Sequence, residues 1–472
     1  NVTKGTSAQG IVYKLTYDGK GNVLKSGCVD PSSQEIGTWL TRTMTNNKNH
    51  IKSVTAAGGN TVQYFWNHDK DLMVHMLDGR GSKIQYAYDD ADRLCGVSQE
   101  VTADGQVRTV ENTYTYTDDR LTAIGHNGFS YGFAYDGFGN TMSASVAGTQ
   151  VVSYEYESGN GNLSKVTYGN GDYIRYTYDD QDRLKLSYYK SASAEAEVKL
   201  HEYVYDREGN LYQVTAHMAG KTYRLSYDLL DRLMRVTDEE GNSYTYTYDV
   251  NNCMVKMDHT CGSSSADTSY TYDKDSREVT TKCASSYTRT PTYDKFGRVT
   301  KRSWNTPAVF NTIYTYFDNG NNRFSLPKTI KNGTELLEYA YDANGNITSI
   351  KDSAGESTYQ YDELNQLIRE NNHVLDKTLT YHYDLGGNLT AVKEYAFTTE
   401  EALPAQPQKA ETGTYSTTWK DQLLSWDGTA MTYDAIGNML TKGSASYTWT
   451  QGRKLSGVEN GKSIQYFYDH TG

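Results

Sequence analysis

Tyr341-Asp342-Ala343-Asn344-Gly345-Asn346-Ile347 is a stretch that the chain writes repeatedly with small changes. It returns as Tyr205-Asp206-Arg207-Glu208-Gly209-Asn210-Leu211, as Tyr383-Asp384-Leu385-Gly386-Gly387-Asn388-Leu389 and as Tyr433-Asp434-Ala435-Ile436-Gly437-Asn438-Met439. A second version has Asp-Arg where the first has Gly-Asn: Tyr88-Asp89-Asp90-Ala91-Asp92-Arg93-Leu94, Tyr178-Asp179-Asp180-Gln181-Asp182-Arg183-Leu184 and Tyr227-Asp228-Leu229-Leu230-Asp231-Arg232-Leu233. The residues leading into the unit alternate aromatic with other side chains, the period of a strand with two differently used faces. Tyr and Thr dominate there, and both favour strands. The Asp can then accept backbone amides of the following turn, while Gly and Asn tolerate the left-handed backbone that reverses the chain. Each copy therefore predicts a hairpin. A second kind of turn, as in Asp238-Glu239-Glu240-Gly241-Asn242 or Asp352-Ser353-Ala354-Gly355, lies between copies and closes the other end of the meander.

Tyr-Asp occurs 14 times, at Tyr17, Tyr88, Tyr135, Tyr178, Tyr205, Tyr227, Tyr248, Tyr272, Tyr293, Tyr341, Tyr361, Tyr383, Tyr433 and Tyr468. From Tyr205 to Tyr293 the steps are 22, 21, 24 and 21 residues. Degenerate copies such as Tyr116-Thr117-Asp118-Asp119-Arg120-Leu121, Tyr156-Glu157-Ser158-Gly159 and Phe317-Asp318-Asn319-Gly320 fill larger gaps. A fixed period in the low twenties marks a repeat array.

These tandem Tyr-Asp-x-x-Gly-Asn and Tyr-Asp-x-x-Asp-Arg-Leu units resemble the Rhs/YD-repeat family, which includes bacterial polymorphic toxins, the shell components of insecticidal Tc toxins and the teneurin adhesion proteins. The resemblance covers most of the chain. It implies a ribbon wound into a hollow shell that encloses another polypeptide. In members that cut themselves, the cleavage residues lie in a core segment after the repeats, followed by a variable toxic tail. Neither is recognisable before Gly472, so no catalytic residue carries over.

The chain has 472 residues, with mean hydropathy −0.73 and only 37% hydrophobic residues, which argues against a thick dry core. Tyr, with 43 copies, is the main large residue, able to bury its ring and keep its hydroxyl wet. A net charge of −12 lacks the basic stripe of a nucleic-acid binder. No run of about 18 apolar residues suggests a membrane span. The chain begins Asn1-Val2-Thr3 without Met or a signal-peptide pattern, and stops at Tyr468-Asp469-His470-Thr471-Gly472 inside a turn; a fragment of a longer protein is expected. The five cysteines lack a Cys-x-x-Cys spacing; they read as plain strand residues, with Cys253 and Cys261 the pair that could meet across a hairpin.

The expected organisation is one array over 1–472: divergent repeats over 1–85, with 28–60 irregular; regular repeats over 86–384; an inserted solvated loop over 396–414, carrying Pro404 and Pro407; and further repeats over 415–472. A surface loop, able to form a short helix, is expected at 190–199. Trp419 and Trp449 stand in the Tyr place of two variants. Roughly 21 two-strand repeats at ~4.8 Å per strand would stretch on the order of 200 Å, and open sheets rarely exceed about 10 strands without curling. The fold class expected is therefore all-β, a long antiparallel β-hairpin repeat array coiled into a hollow spiral shell.

The repeated Asp residues are better explained as turn acceptors than as catalytic carboxylates, because an active site needs its acid once. The Asp-Arg pairs fit a ladder between neighbouring repeats better than an anion site. His68 and His75 lack the spacing of a zinc protease, no Gly-x-Ser-x-Gly elbow occurs, and no metal or cofactor is expected. The Asn346 and Asn388 sequons arise from the repeat itself. The residues singled out are thus those of the turn: Tyr205, Asp206, Gly209, Asn210; Tyr341, Asp342, Gly345, Asn346; Tyr383, Asp384, Gly387, Asn388; and Tyr433, Asp434, Gly437, Asn438. The function expected is a non-catalytic shell segment of a secreted or surface toxin-like protein around a C-terminal effector. A cell-surface adhesin that binds glycan or protein through its outer face is the second reading, since exposed Tyr and Trp can stack on sugar rings.

Overall fold

The strand Glu335–Tyr341 enters the turn of residues 342–346 and returns as Ile347–Lys351. Tyr341 pairs with Ile347 while Ala340 pairs with Ser349, so the returning strand carries one extra residue, a bulge just after the turn. Gly345 makes this possible at φ 89°, a conformation most side chains avoid. The same register step precedes Tyr135, Tyr178, Tyr205, Tyr227, Tyr248, Tyr293, Tyr361, Tyr383 and Tyr433. Turns at the other end include tight two-residue reversals such as Asn127-Gly128 and Ala147-Gly148, with both residues at positive φ.

The computed structural model describes residues 2–29, 35–46, 48–56, 60–103, 105–284, 286–294, 296–305, 309–317 and 326–468. Among these residues are 42 strands and no helix. Their pairings are antiparallel and join strands that are consecutive in sequence. The protein is an all-β hairpin array, and 42 strands amount to the 21 hairpins expected from the repeat.

Local details differ from expectation. Residues 191–197, between the strands Leu184–Lys190 and Val198–Tyr205, form turns and bends, so the short helix does not form. The 28–60 region carries the strands Glu35–Met44 and Ile51–Ala56, paired in the same antiparallel way. The inserted loop is shorter than read, because Leu389–Ala396 and Lys409–Tyr415 are strands. It is also held tightly. The buried Arg369 guanidinium donates to the carbonyls of Thr398, Glu400 and Glu401 at 3.3, 2.6 and 3.0 Å, and the fully buried Thr378 hydroxyl donates to Thr398 O at 3.1 Å. The repeat copy at Phe317-Asp318-Asn319-Gly320 and the tail turn at 469–472 lie largely or wholly outside the described residues.

Two units divide the chain. The first comprises residues 1–112, 250–253 and 268–411. Within it, turns far apart in sequence lie edge to edge. Asn344 donates to Asp78 Oδ2 at 2.7 Å, and Gln9 N donates to Asp275 Oδ1 at 3.0 Å. Arg80 donates to the carbonyls of Tyr361 and Asp362. Each contact sets the turn after a Tyr-Asp copy against a turn of the other kind, 266 to 282 residues earlier. At Gly79 the approach is so close that a Cβ would lie 2.5 Å from the Ala343 carbonyl oxygen.

The second unit comprises residues 113–249, 254–267 and 412–472. It repeats the arrangement with an apolar centre. Ile436, in the turn after Tyr433, is wholly buried against Val146 and Val151, with Trp419 and Tyr168 around it. Asn170 donates to Asp434 Oδ2 at 3.1 Å beside it. A second cluster joins Ile174, Tyr189 and Leu200. These small clusters match a chain with too few apolar residues for one large core.

Candidate functional site

The turn residues singled out above are placed by one geometry. Asp342 Oδ1 accepts the amides of Asn344 and Asn346 at 2.8 and 2.9 Å, and its Oδ2 accepts Asn346 Nδ2 at 2.9 Å. Asp384 receives Gly386 N and Asn388 N at 2.8 and 2.9 Å and Asn388 Nδ2 at 2.9 Å, with Gly387 at φ 84°. Asp434 receives Ile436 N, Asn438 N and Asn438 Nδ2 at 3.0, 2.8 and 2.8 Å, with Gly437 at φ 87°. Asp206 receives Asn210 N at 2.7 Å, with Gly209 at φ 99°. There the Asn210 side chain turns to Asp231 of the next repeat, at 2.9 Å. In two such turns the Asn140 amide beside Asp136 and the Arg183 guanidinium beside Asp179 pull those carboxyls below their ordinary value, while burial pushes the Asp362 carboxyl up.

The Asp-Arg version solves the same problem with different atoms. Asp92, Asp182 and Asp231 occupy the Gly place at φ 62°, 61° and 56°. Arg93, Arg183 and Arg232 then donate Nε to the Asp of their own turn at 2.8, 2.9 and 2.7 Å. The ion pair thus lies within a repeat, where one between repeats was expected. What reaches the next repeat is the guanidinium face: Arg183 lies 4.5 Å from the Tyr205 ring centre, Arg232 4.8 Å from Tyr248 and Arg298 4.3 Å from Tyr316. The inter-repeat ladder runs instead through the Asp in the Gly place, as in Asn160 to Asp182 at 2.7 Å and Lys70 to Asp92 at 2.6 Å.

The repeated Tyr has a role that sequence reasoning missed. Its hydroxyl is tethered, where a wet hydroxyl was expected. Tyr205, Tyr341, Tyr383 and Tyr433 donate to the carbonyls of Leu184, Pro327, Leu367 and Leu423, the first strand residue of the preceding repeat, at 2.9, 2.9, 2.9 and 2.7 Å. Tyr178, Tyr227, Tyr248, Tyr293 and Tyr361 do the same, and Tyr88 donates to Met73, the second residue of its strand. The signal available was the constancy of Tyr where Phe would serve a purely apolar ring. Trp449 takes the Tyr place and donates Nε1 to Met439 O at 2.7 Å. Trp419 does not: the strand ends at Tyr415, which pairs with Leu423, and Trp419 sits in the turn. Burial pushes the Tyr88, Tyr205 and Tyr383 phenols above their ordinary value.

Candidate chemistry elsewhere is sparse. All five cysteines are free thiols. Cys253 precedes and Cys261 ends a single strand, Met254–Cys261, about 25 Å apart at the rise of an extended chain, so they cannot meet across a hairpin. His68 Nδ1 lies 3.2 Å from His50 Nδ1, and the His75 ring stacks on Phe65. Among the described residues no three His, Cys, Asp or Glu side chains converge as metal ligands. Ser357, His373 and Asp352 form a hydrogen-bonded row, with Ser357 Oγ to His373 Nδ1 at 2.9 Å and His373 Nε2 to Asp352 Oδ1 at 3.0 Å. Ser357 is buried on a strand and its Oγ also accepts His373 N. The row pins the turn at Asp352 to the turn at His373. A cavity of about 360 Å³ in the first unit is lined by Val101, Leu364, Arg369, Tyr381 and Leu403.

A sheet built of tandem hairpins whose Tyr-Asp turns bond each repeat to the one before it defines a YD-type repeat array. The RHS Repeat family model matches residues 205–242, 227–260 and 341–372, so those stretches carry repeats of the Rhs/YD type. No curated protein matches it. Among solved structures, a TcdB2-TccC3-TEV crystal structure is similar with a TM-score of 0.73 at 14% identity, covering 95% of this chain and 28% of that one. TcdB2-TccC3 without its hypervariable C-terminal region gives a TM-score of 0.68 at 16% identity, covering 95% of this chain and 26% of that one. The Photorhabdus luminescens Tc holotoxin pore gives 0.60 at 14% identity, with 95% and 28% covered. The chain therefore spans under a third of the length of those it matches, and shares their fold.

Proposed function

We propose that this chain is a shell segment of a secreted toxin-like protein, and that its task is to wall off a C-terminal effector rather than to catalyse. The observation that carries this reading is the edge-to-edge contact of turns some 260 to 290 residues apart within each unit, typified by Asn344 on Asp78 and Ile436 on Val146 and Val151. A hairpin ribbon that returns onto its own edge makes a continuous wall, and a wall built from one repeated turn has no need of a unique site. The likeness in fold to TcdB2-TccC3 chains supports it, one of which was solved without its hypervariable C-terminal region. Glycan binding on the outer face has less behind it, because the ring faces of Tyr205, Tyr248, Tyr293 and Tyr316 are already covered by arginines.

Protease protection tests the proposal. The chain would be expressed together with the coding sequence that follows it in its own gene, and the downstream polypeptide followed under trypsin. Survival of that polypeptide until the shell itself unfolds is the expected result. Digestion at the rate of the isolated polypeptide would overturn the reading.

A further inference from the structure

Where turns far apart in sequence meet edge to edge, three Asn side chains donate to carboxylates across the seam. Asn344 reaches Asp78 Oδ2 at 2.7 Å in the first unit; Asn170 reaches Asp434 Oδ2 at 3.1 Å and Asn127 reaches Asp421 Oδ1 at 3.4 Å in the second. Each of these Asn residues is followed by Gly. Turn geometry accounts for the Gly, since Gly345, Gly171 and Gly128 sit at φ 89°, 92° and 74°. It does not account for an acid opposite the amide. Asn-Gly is also the dipeptide most open to deamidation, because no side chain shields the attacking nitrogen. The Gly backbone nitrogen bonds to the Asn Cγ, the Cγ–Nδ2 bond breaks and ammonia leaves, giving a succinimide. One water then opens that ring to Asp or isoaspartate. In the docked turns the reacting groups are held. Gly345 N donates to Asp342 O at 3.2 Å and Gly171 N to Tyr168 O at 2.9 Å. Asn344 Nδ2 also donates to Asn365 Oδ1 at 2.9 Å, and Asn170 Oδ1 accepts Asp172 N at 3.2 Å.

We propose that Asn170 and Asn344, one in each unit, are deamidation sites that make the seam a one-way latch. While the turns are docked, the bonded amide reacts slowly. Once they part, conversion replaces an NH2 donor with a carboxylate that faces the carboxylate it had bonded. Two acids at that spacing repel, so the turns do not close again. Arg80 does not relieve this at Asp78, because its guanidinium is already bonded to the carbonyls of Tyr361 and Asp362. Asn127 differs. Lys420 Nζ stands 2.6 Å from where a Cβ on Gly128 would lie, a cation that offsets a new charge there. The latch works whether or not the wall encloses an effector.

Peptide mapping by mass spectrometry of the whole chain, aged at mildly alkaline pH, tests this. In buffer the exposed Asn460-Gly461 pair should convert while Asn170 and Asn344 stay intact. In urea just below the unfolding transition both should convert, and the protein returned to buffer should keep a trypsin-sensitive seam. Asn170→Asp and Asn344→Asp mimic the product; Asn170→Ala and Asn344→Ala remove the hydrogen bond without adding charge. By hydrogen exchange, the facing turns at 434–438 and 78–82 should open about tenfold more often in each Asp variant than in its Ala counterpart. Asn127→Asp should exceed Asn127→Ala by far less. Equal exchange in the Asp and Ala variants at 170 and 344 would overturn the proposal. So would conversion at both sites in buffer as fast as at Asn460, or an aged, converted chain whose seam closes as before; these two readings use the wild-type chain and do not depend on an Asp variant folding.

Discussion

The Tyr205 hydroxyl donates to the Leu184 carbonyl at 2.9 Å, across the boundary between one repeat and the next. The bond joins a side chain at the end of one hairpin to the backbone at the start of the return strand before it, so the copies that make it are fastened to their predecessors. Tyr205→Phe keeps the ring and leaves Leu184 O without its donor, and should cost about 1–2 kcal/mol. Tyr212→Phe, at a half-exposed ring on the neighbouring strand, is the control and should be close to neutral. Urea denaturation of the two variants checks the difference.

Gly345 sits at φ 89° in the turn of residues 342–346. A β-branched side chain is a strong outlier there. Gly345→Val should destabilise by about 2 kcal/mol or more, while Gly345→Asn should cost about half of that, because Asn tolerates the left-handed region. Asn365 already holds the equivalent place at φ 62°. Thermal melting of both variants measures the gap.

Much of this was legible in the sequence. Alternating Tyr and Thr gave the strands, and Asp with Gly-Asn gave the turn, because those residues act through contacts within five or six positions of each other. The tether from Tyr205 to Leu184, the stacking of Arg183 on Tyr205 and the seating of Ile436 on Val146 were not legible. Each depends on which repeat lies beside which, and nearly identical repeats do not encode that in local pattern. Trp419 was misplaced for the same reason: a short irregular copy offers two aromatic residues for one place, and only the strand pairing of Tyr415 with Leu423 decides between them.

Arg369 is 6% exposed and holds the inserted loop through three carbonyls. Arg369→Met would leave those acceptors unpaired and should cost about 2–4 kcal/mol. The loss should appear first as local opening, with proteolytic cleavage within residues 397–408 at protease levels that leave the wild type intact. Mass spectrometry of early fragments reads this out.

The titrating groups predict a stability plateau with two edges. Burial raises the Tyr phenols, Tyr176 to about 12 from an ordinary 10.0. A raised acid binds its proton more tightly when folded, so its contribution is whole below pH 10 and is lost as pH climbs towards 12. Asp136 and Asp179 lie below their ordinary 3.8, so their contribution is whole above that pH and is lost as pH falls through the folded value. Denaturation midpoints measured across pH should therefore stay level from mildly acidic to mildly alkaline conditions and fall at both ends. Asp179→Asn should remove part of the acid edge and leave the alkaline edge in place.

The central claim is that the hairpin ribbon forms a wall around space reserved for another polypeptide. Electron cryomicroscopy of the intact parent protein tests it most directly. The account predicts a single layer of antiparallel strands curving around an interior that holds weak, unassigned density for the effector. A flat sheet, or a solid body packed through its centre, would contradict it.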